Sequence, residues 1–485
     1  MAGIVSYGAY IPIYRLKRDE MGRAWSRSSS GGERSVANFD EDSATMAVEA
    51  VVDCLSDSDR DKVDGLYFAS TTPPYREKQT ASLVALAADL RRHLFTADFT
   101  DSLRSGTMAL RSAIDAVNSG SAKQVMVAAT DCRKGQPQSN YEQDFGDGSA
   151  ALLIGDTDVI CEIEATYSHS DDILDTWRTE SDSFTRTWED RFILTEGYTR
   201  NMTEAISAIM SEQGLKPADI SRAVYYAPDS RRHSEIAKAV GFDPKTQVQD
   251  PMFKVLGNTG APFAMMMLVA ALEQARPGDR ILFANYGDGA DAFILRVTEA
   301  ITKIKGRRGI RVHLASRMEL ANYEKYVRFR RLIPLEAQAR EGANAFPPVA
   351  WREREQLTSL HGSRCNHCGR TFHPMQRVCI YCGTKDDFEG VRLSDRKGIL
   401  YTYCIDNLAL SDDPPTVVSK VHLEDDKGPV GVYCQMTDRD LDRVTPDMPV
   451  EMTFRKMHDA GGMHTYYWKC RPPREARKNE DSVNG

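Results

Sequence analysis

Apolar residues follow two rhythms along this chain. Short continuous runs bounded by glycine read as buried strands, and runs with apolar positions three and four apart read as helices. Gly3-Ile-Val-Ser-Tyr-Gly-Ala-Tyr-Ile-Pro predicts a first strand running into a turn. Residues 17–40 are polar and rich in Ser, Arg and Gly, which predicts a mobile surface loop. Met46, Ala47, Ala50, Val51 and Leu55 mark one face of a helix starting at Asp42, and Val63–Thr71 is the next strand. Ala109, Leu110, Ala113, Ile114 and Ala116 give the buried face of a helix over Thr107–Val117, opened by the small residues Ser105, Gly106 and Thr107. Gln124–Asp131 and Gly146–Gly155 follow as strands.

The order then repeats. After an insertion near 165–200, a helix over Met202–Gln213 leads to the strand Ala223–Pro228. Gly257-Asn-Thr-Gly-Ala-Pro opens a helix carrying Met266, Leu268, Val269 and Leu272, and Arg280–Tyr286 is the strand after it. Gly287-Asp-Gly-Ala-Asp-Ala-Phe-Ile-Leu then matches Gly146-Asp-Gly-Ser-Ala-Ala-Leu-Leu-Ile. Helix, strand, Gly-Asp-Gly and strand occur twice in one order, which predicts two homologous α/β halves packed together, about 1–165 and 166–302.

In that duplicated order, residues 1–300 resemble the thiolase superfamily and, within it, 3-hydroxy-3-methylglutaryl-CoA synthases of the archaeal and bacterial type. The stretches that carry the resemblance are Met1–Pro12, Val36-Ala-Asn-Phe-Asp-Glu-Asp-Ser, Trp177-Arg-Thr-Glu, Gly257-Asn-Thr-Gly and Tyr286-Gly-Asp-Gly. The resemblance implies a five-layered α-β-α-β-α core, a homodimer and an acyl-CoA substrate.

The chemistry of that family does not transfer residue by residue. The resemblance implies a Cys nucleophile, a Glu acid/base and a His. The nucleophile position falls on Leu103 in Ser102-Leu-Arg-Ser-Gly-Thr. Thr71 follows Ala69-Ser70 where the Glu is expected, and Tyr226-Ala-Pro-Asp stands where a His-x-Pro-Asn pattern is expected. No cysteine lies between 55 and 131, so a slipped alignment restores none. Leucine cannot form an acyl thioester, so covalent catalysis of the usual kind gives way to non-covalent aldol or retro-aldol chemistry on a 3-hydroxyacyl-CoA. Cysteine-less thiolase-like aldolases thought to use tyrosines are similar. Tyr226, Asn258 and Tyr286 are the catalytic candidates, and Thr71, Leu103, Arg104, Gly257 and Gly287 the substrate-binding ones. A phenol of ordinary pKa is a poor base at neutral pH, so Tyr226 needs a partner or a shifted pKa. His233, in Arg231-Arg-His-Ser-Glu, reads as the polar start of a helix, and Cys132 as a small buried residue.

The last third changes character. Residues 303–312 are basic and glycine-punctuated and mark the domain exit; 303–360 is linker and helices, with helical spacing over 316–341. Cys365-Asn-His-Cys368 and Cys379-Ile-Tyr-Cys382 form C-x2-C-x10-C-x2-C, two knuckles whose four thiolates complete a closed tetrahedral zinc site within 361–390. Four protein ligands leave no open position, so the zinc is structural. Five short strands follow, at Gly398–Cys404, Thr416–Leu423, Val430–Met436, Pro449–Phe454 and Thr465–Cys470, which suit an OB-type barrel over 391–473. Ribbon followed by barrel resembles acyl-CoA-associated proteins that accompany thiolases, here fused; in that family the module helps hold CoA. Residues 474–485 read as a disordered tail.

The totals narrow the classes. The chain has 485 residues, 41% hydrophobic and 27% charged, with a formal net charge of −8, which argues against nucleic acid as partner despite the OB-type barrel. No apolar run is long enough to span a bilayer, and the first residues lack the charged and apolar regions of a secretion signal. Ten cysteines, four of them within 365–382, fit a reducing compartment with one metal site, so a cytoplasmic protein is expected. The expectation is an acyl-CoA enzyme of the thiolase superfamily. A synthase-like or thiolase-like acyltransferase is one alternative. The other is an inactive acyl-CoA-binding scaffold for a pathway partner such as a hydratase or an active thiolase.

Overall fold

A computed structural model describes residues 2–56, 58–304, 306–334 and 346–474. Nine strands form one sheet in the order Arg222–Tyr225, Arg280–Tyr286, Gly289–Val297, Cys161–Ser170, Gly3–Tyr10, Gly148–Gly155, Gln124–Asp131, Gly65–Ala69, Phe95–Phe99. The order carries an internal symmetry. Outward from Gly3–Tyr10, two antiparallel pairings are followed by two parallel ones. Outward from Cys161–Ser170, the senses repeat, and the last parallel step is a single bridge from Ala223 to Val248. The two central strands share only the pairs Gly3↔Glu162 and Ile4↔Cys161. The halves therefore join at one corner and otherwise lie as separate layers of a duplicated thiolase-like α-β-α-β-α core.

Alternation along the strands shows why both faces are covered. In Gln124–Asp131, Val125, Val127 and Ala129 join the core around the helix Ser105–Asn118, while Met126 and Ala128 face the helix Ser43–Leu55. Strands buried on both faces read as unbroken apolar runs. The second-half helix Phe263–Leu272 is buried at all ten positions and packs against strands of both halves. Gly106 lets the two central helices meet: a Cβ there would stand 3.0 Å from Met265 Sδ and 3.2 Å from the Ala261 carbonyl oxygen.

Residues 17–40 are not a loop. They form the end of the strand Tyr14–Lys17, a helix Arg18–Trp25 and a strand Glu33–Val36. Their apolar partners lie far along the chain. Leu16, Met21 and Val36 pack with Tyr323, Tyr326, Phe329 and Leu332, and Met318–Glu319 pairs in parallel with Tyr14–Arg15. The helical stretch expected over 316–341 is the shorter helix Tyr323–Arg330, capped by Asn322, and 335–341 falls outside the described residues. The basic run 303–312 turns into the helix Gly309–Ala315, whose first turn is held by the Asp53 carboxylate through the Arg308 and Gly309 amides at 2.8 and 3.0 Å.

The four-cysteine region carries three short strands, His361–Cys365, Thr371–Phe372 and Phe388–Arg392. A closed five-stranded barrel follows in the order Gly398–Asp406, Thr416–Leu423, Val430–Met436, Met463–Arg471, Pro449–Ala460. Val417, Val421, Leu423, Val432, Phe454 and Trp468 fill its interior.

Charge joins barrel to core. Arg455 is fully buried and reaches Glu41 at 2.9 Å, Asp438 at 2.8 Å and the Tyr10 hydroxyl at 3.0 Å. Lys469 pairs with Asp40 at 2.9 Å, and Arg471 with Glu49 at 2.6 Å and Glu451 at 2.8 Å. Arg474, expected to open the tail, is instead buried and pairs with Asp438 at 3.2 Å; 475–485 lie outside the described residues. Burial alone would raise the Asp438 pKa, but Arg455, Arg474 and Arg471 hold it well below the usual carboxylate range. Each ion here has lost its water and is replaced by fixed partners, so removing one strands the others. Arg455→Met is expected to cost about 3–5 kcal/mol in chemical denaturation of the full chain; a loss below about 1 kcal/mol would show that apolar contact alone holds the barrel.

Candidate functional site

The two halves meet over a small enclosed cavity of about 60 Å³, room for a few waters. From the first half come Leu103, at the turn before the helix Ser105–Asn118, and Arg133, Tyr141, Asp144 and Phe145 from the segment after Gln124–Asp131. From the second come Asp175 and Thr176, Ile193, Leu194 and Tyr198, and then Tyr226, Asn258 and Tyr286. Strand ends and helix starts thus deliver the polar groups, as is usual for open α/β sheets.

Four of the residues singled out by sequence are brought together: Leu103, Tyr226, Asn258 and Tyr286 all line the cavity. Asn258 Nδ2 donates to the Tyr226 hydroxyl at 3.1 Å. Asn258 Oδ1 accepts from Arg133 Nη2 at 2.8 Å and from the Gly260 amide at 3.0 Å, which fixes the amide's orientation. With its oxygen already accepting from Asn258, Tyr226 has its own proton free to offer into the cavity. Burial pushes Tyr226 above the ordinary tyrosine value, while the Arg133 charge and the Asn258 amide pull the other way. Burial, and then the Asp175 charge, push Tyr286 up further. Both phenols hold their protons at neutral pH and are acids there rather than bases.

The other four sit around the cavity without lining it. Thr71 bonds the buried Asp131 carboxylate, through its amide at 2.8 Å and its hydroxyl at 3.0 Å. Arg104 pairs with Asp291 at 3.3 Å and donates to the His169 carbonyl at 2.9 Å, so its charge is answered within the fold. Gly257 has φ +84° and abuts the Asp144 carbonyl, 2.7 Å from where a Cβ would stand. Gly287 presses on the turn before the helix, where a Cβ would stand 2.7 Å from the Arg104 amide nitrogen and 3.0 Å from that of Leu103.

Sequence reasoning passed over Arg133, Asp175 and Tyr198. Arg133 is 4% exposed, stacks on Phe145 at 4.0 Å and leaves Nε buried without a hydrogen-bond partner. Beside Lys134 it looks like any solvated cation. Asp175 lies two residues before the Trp177 that helped mark the family, so a signal was present. Tyr198 sits in a π-helical stretch, Ile193–Thr199, and donates to the Tyr226 carbonyl at 2.8 Å. Single π turns often mark functional sites. His233 lies outside the cavity; its ring stacks on Tyr225 at 4.6 Å and its carbonyl accepts from the Tyr225 hydroxyl at 2.7 Å. Cys132 receives a 3.3 Å contact from Arg330 Nη1.

The four cysteines of the ribbon converge. Their sulfurs all lie within 4.8 Å of one another, with Cys365–Cys382 at 3.6 Å and Cys368–Cys379 at 3.5 Å. Four thiolates about 2.3 Å from one ion would stand roughly 3.8 Å apart, so the set fits a tetrahedral metal.

No family model matches the chain. The hydroxymethylglutaryl-CoA synthase of Methanocaldococcus jannaschii is 34% identical over 346 residues, covering 69% of this chain and 100% of that protein. The chain belongs to the hydroxymethylglutaryl-CoA synthase family. Its members here include the synthase of Methanococcoides burtonii, 35% identical over 316 residues, 62% of this chain and 90% of that one. The relatives that it matches are enzymes, each a hydroxymethylglutaryl-CoA synthase. Solved structures agree on the fold. A crystal structure of HMG-CoA synthase complexed with CoA superposes with a TM-score of 0.62 at 18% identity, covering 71% of this chain and 93% of that one. The curacin-pathway HMG synthase in complex with acetyl donor-ACP gives 0.60 at 18%, covering 81% and 99%. Among the described residues no helix is long and apolar enough to cross a membrane.

His233 supplies a pH test of the packing below the site. Burial pushes its pKa down to about 4, with Asp250 opposing only in part. An unfolded histidine titrates near 6.5, so as pH falls from about 6.5 to 4 the unfolded chain takes up a proton that the folded chain refuses. Stability falls through that window. His233→Phe, which keeps a ring against Tyr225, is expected to remove about 2–3 kcal/mol of that fall. Urea midpoints measured from pH 7 to 4.5 check this.

Proposed function

We propose that this protein makes or breaks a carbon–carbon bond on an acyl-CoA thioester without forming an acyl-enzyme, by aldol or retro-aldol chemistry on a 3-hydroxyacyl-CoA. The reading rests on Leu103, which lines the cavity beside Tyr226 and Asn258 and has no nucleophilic atom, and which the sequence resemblance places at the family's nucleophile position. What remains is a phenol held by an oriented amide and a buried guanidinium, a set suited to protonating an oxygen and stabilising developing negative charge. Coenzyme A as the substrate's carrier is supported by family membership and by the CoA-bound relative of the same fold. Thr71, Arg104, Gly257 and Gly287 serve in this reading as the frame of the pocket rather than as ligands to the substrate.

The reading includes a structural zinc held by Cys365, Cys368, Cys379 and Cys382; all four positions are filled by protein, so it takes no part in the reaction. Dimerisation fits as well. The strand Phe95–Phe99 ends the sheet as a free edge with Phe95 66% exposed, and such an edge invites a second copy. The domains follow as a core over 1–302, a connecting segment over 303–360, a ribbon over 361–390 and a barrel over 391–473. One observation favours a second reading, the scaffold: a cavity of about 60 Å³ is tight for any but a short acyl group.

Tyr226→Phe is expected to lower turnover of a 3-hydroxyacyl-CoA by about 10²–10⁴-fold while leaving CoA affinity within a few-fold; unchanged turnover would remove Tyr226 as acid. Crystals soaked with propionyl-CoA are expected to show the thioester beside Leu103 and Tyr226, and exclusion of the acyl group would favour the scaffold. Metal analysis of the purified chain is expected to give one zinc per protein, lost in Cys368→Ala together with the thermal stability of the ribbon; a metal-free wild type of equal stability would refute the zinc.

A further inference from the structure

The site described so far has acids and no base. Both phenols are pushed above their ordinary pKa, and Arg133 offers only donors. Two carboxylates line the cavity, Asp144 and Asp175. Burial raises Asp144 against the charges of Arg18 and Arg34, and its backbone carbonyl accepts from the Asn258 backbone amide at 2.6 Å. Neither carboxylate has an ion pair among the described residues; Asp175 Oδ1 accepts from the Thr176 amide, and the Tyr286 hydroxyl lies beside the same carboxylate. That hydroxyl is buried without a hydrogen-bond partner at ordinary geometry. Room is kept for it: a Cβ at Gly197, in the π-helical turn, would stand 2.7 Å from the Tyr286 oxygen. The Tyr286 ring stacks on that of Tyr226 at 6.2 Å. Asp175 itself precedes a two-strand hairpin, Thr176–Trp177 with Arg186–Thr187, and Thr187 Oγ1 donates to the Asp175 carbonyl at 2.9 Å.

We propose that Asp175 is the general base of this site, working at C2 of the acyl-CoA while Tyr226 works at the substrate oxygen. The proposal rests on the acyl-CoA reading above. In the direction of addition, the Asp175 carboxylate takes a proton from C2, and the C–H electron pair passes into the thioester enolate. C2 then bonds to the carbonyl carbon of the second substrate, whose oxygen takes the Tyr226 proton. Return of the Asp175 proton to the Tyr226 phenolate leaves both groups as they began. Cleavage is the same sequence reversed. A base in the apolar surroundings of Tyr198 and Ile193 competes little with water, which is what abstraction of so weak an acid as a thioester C2 proton demands.

Deuterium uptake at C2 of propionyl-CoA in D2O, followed by mass spectrometry with the full chain, isolates the proposed step. Wild type is expected to exchange. Asp175→Asn is expected to lose about 100-fold or more while binding propionyl-CoA within a few-fold of wild type. Asp144→Asn, at the other carboxylate of the cavity, is expected to lose far less exchange than Asp175→Asn, and Tyr226→Phe to fail to cleave a 3-hydroxyacyl-CoA. Exchange by Asp175→Asn at the wild-type rate overturns the assignment. So does loss in Asp144→Asn alone or equally in both variants, and so does a wild type that cleaves hydroxyacyl-CoA without exchanging. A wild type that neither binds propionyl-CoA nor cleaves hydroxyacyl-CoA would instead overturn the acyl-CoA reading itself.

Discussion

The Asp131 carboxylate holds the two halves in register. It is fully buried and collects five donors: the Ser70, Thr71 and Thr72 hydroxyls, the Thr71 amide and, from the other half, the Ala261 amide. One buried charge with five fixed donors is satisfied only in one arrangement of its surroundings. That arrangement sets the loop after Gly65–Ala69 against the turn that opens Phe263–Leu272. Gly260, with φ +80°, has no side chain to block it; a Cβ there would stand 2.4 Å from Asp131 Oδ2. Arg133, two residues on, then points at Asn258, and the polar wall of the cavity follows.

On the reading proposed above, the wall so built differs in kind from a covalent acyl-transfer site. Leu103 offers packing where a thiolate is expected. The amide of Asn258 is locked by Arg133 and Gly260, so it presents a donor to Tyr226. Burial raises phenols, and it does so here for Tyr226, against the opposing Arg133 charge, and for Tyr286. A site with raised phenols and a buried guanidinium is strong in proton donation and positive charge. The base must come from a carboxylate, and the hairpin insertion supplies one.

The barrel is joined to the core by buried ions as well as by apolar contact. Four cations of its last two strands and the segment after them, Arg455, Lys469, Arg471 and Arg474, meet Asp40, Glu41 and Glu49 at the start of the first outer helix and Asp438 and Glu451 of the barrel itself. Such a joint tolerates little displacement, because separating any pair would leave a charge out of water. Asp42 adds to it: it caps the helix Ser43–Leu55 and also accepts from the Tyr466 hydroxyl at 2.8 Å. A fused module fixed this way behaves as part of the core.

The sequence by itself determined what rests on local pattern. Apolar runs placed seven of the nine sheet strands; Phe95–Phe99 was missed, and Cys161–Ser170 lies partly where an insertion was expected. The doubled Gly-Asp-Gly order gave the two halves, and the spacing of four cysteines gave the cluster. Tyr226, Asn258 and Tyr286 were found because their neighbours form recognisable words. What only the tertiary structure decided is what depends on partners far along the chain. The polar stretch 17–40 folds because residues 318–332 cover Leu16, Met21 and Val36, which no local window contains. Arg133, Arg104 and Arg474 are alike in sequence; one faces the cavity, one is bound to Asp291 and one is locked into the barrel joint. Burial and pairing, not residue type, set the role of a charged side chain, and both are properties of the assembled fold.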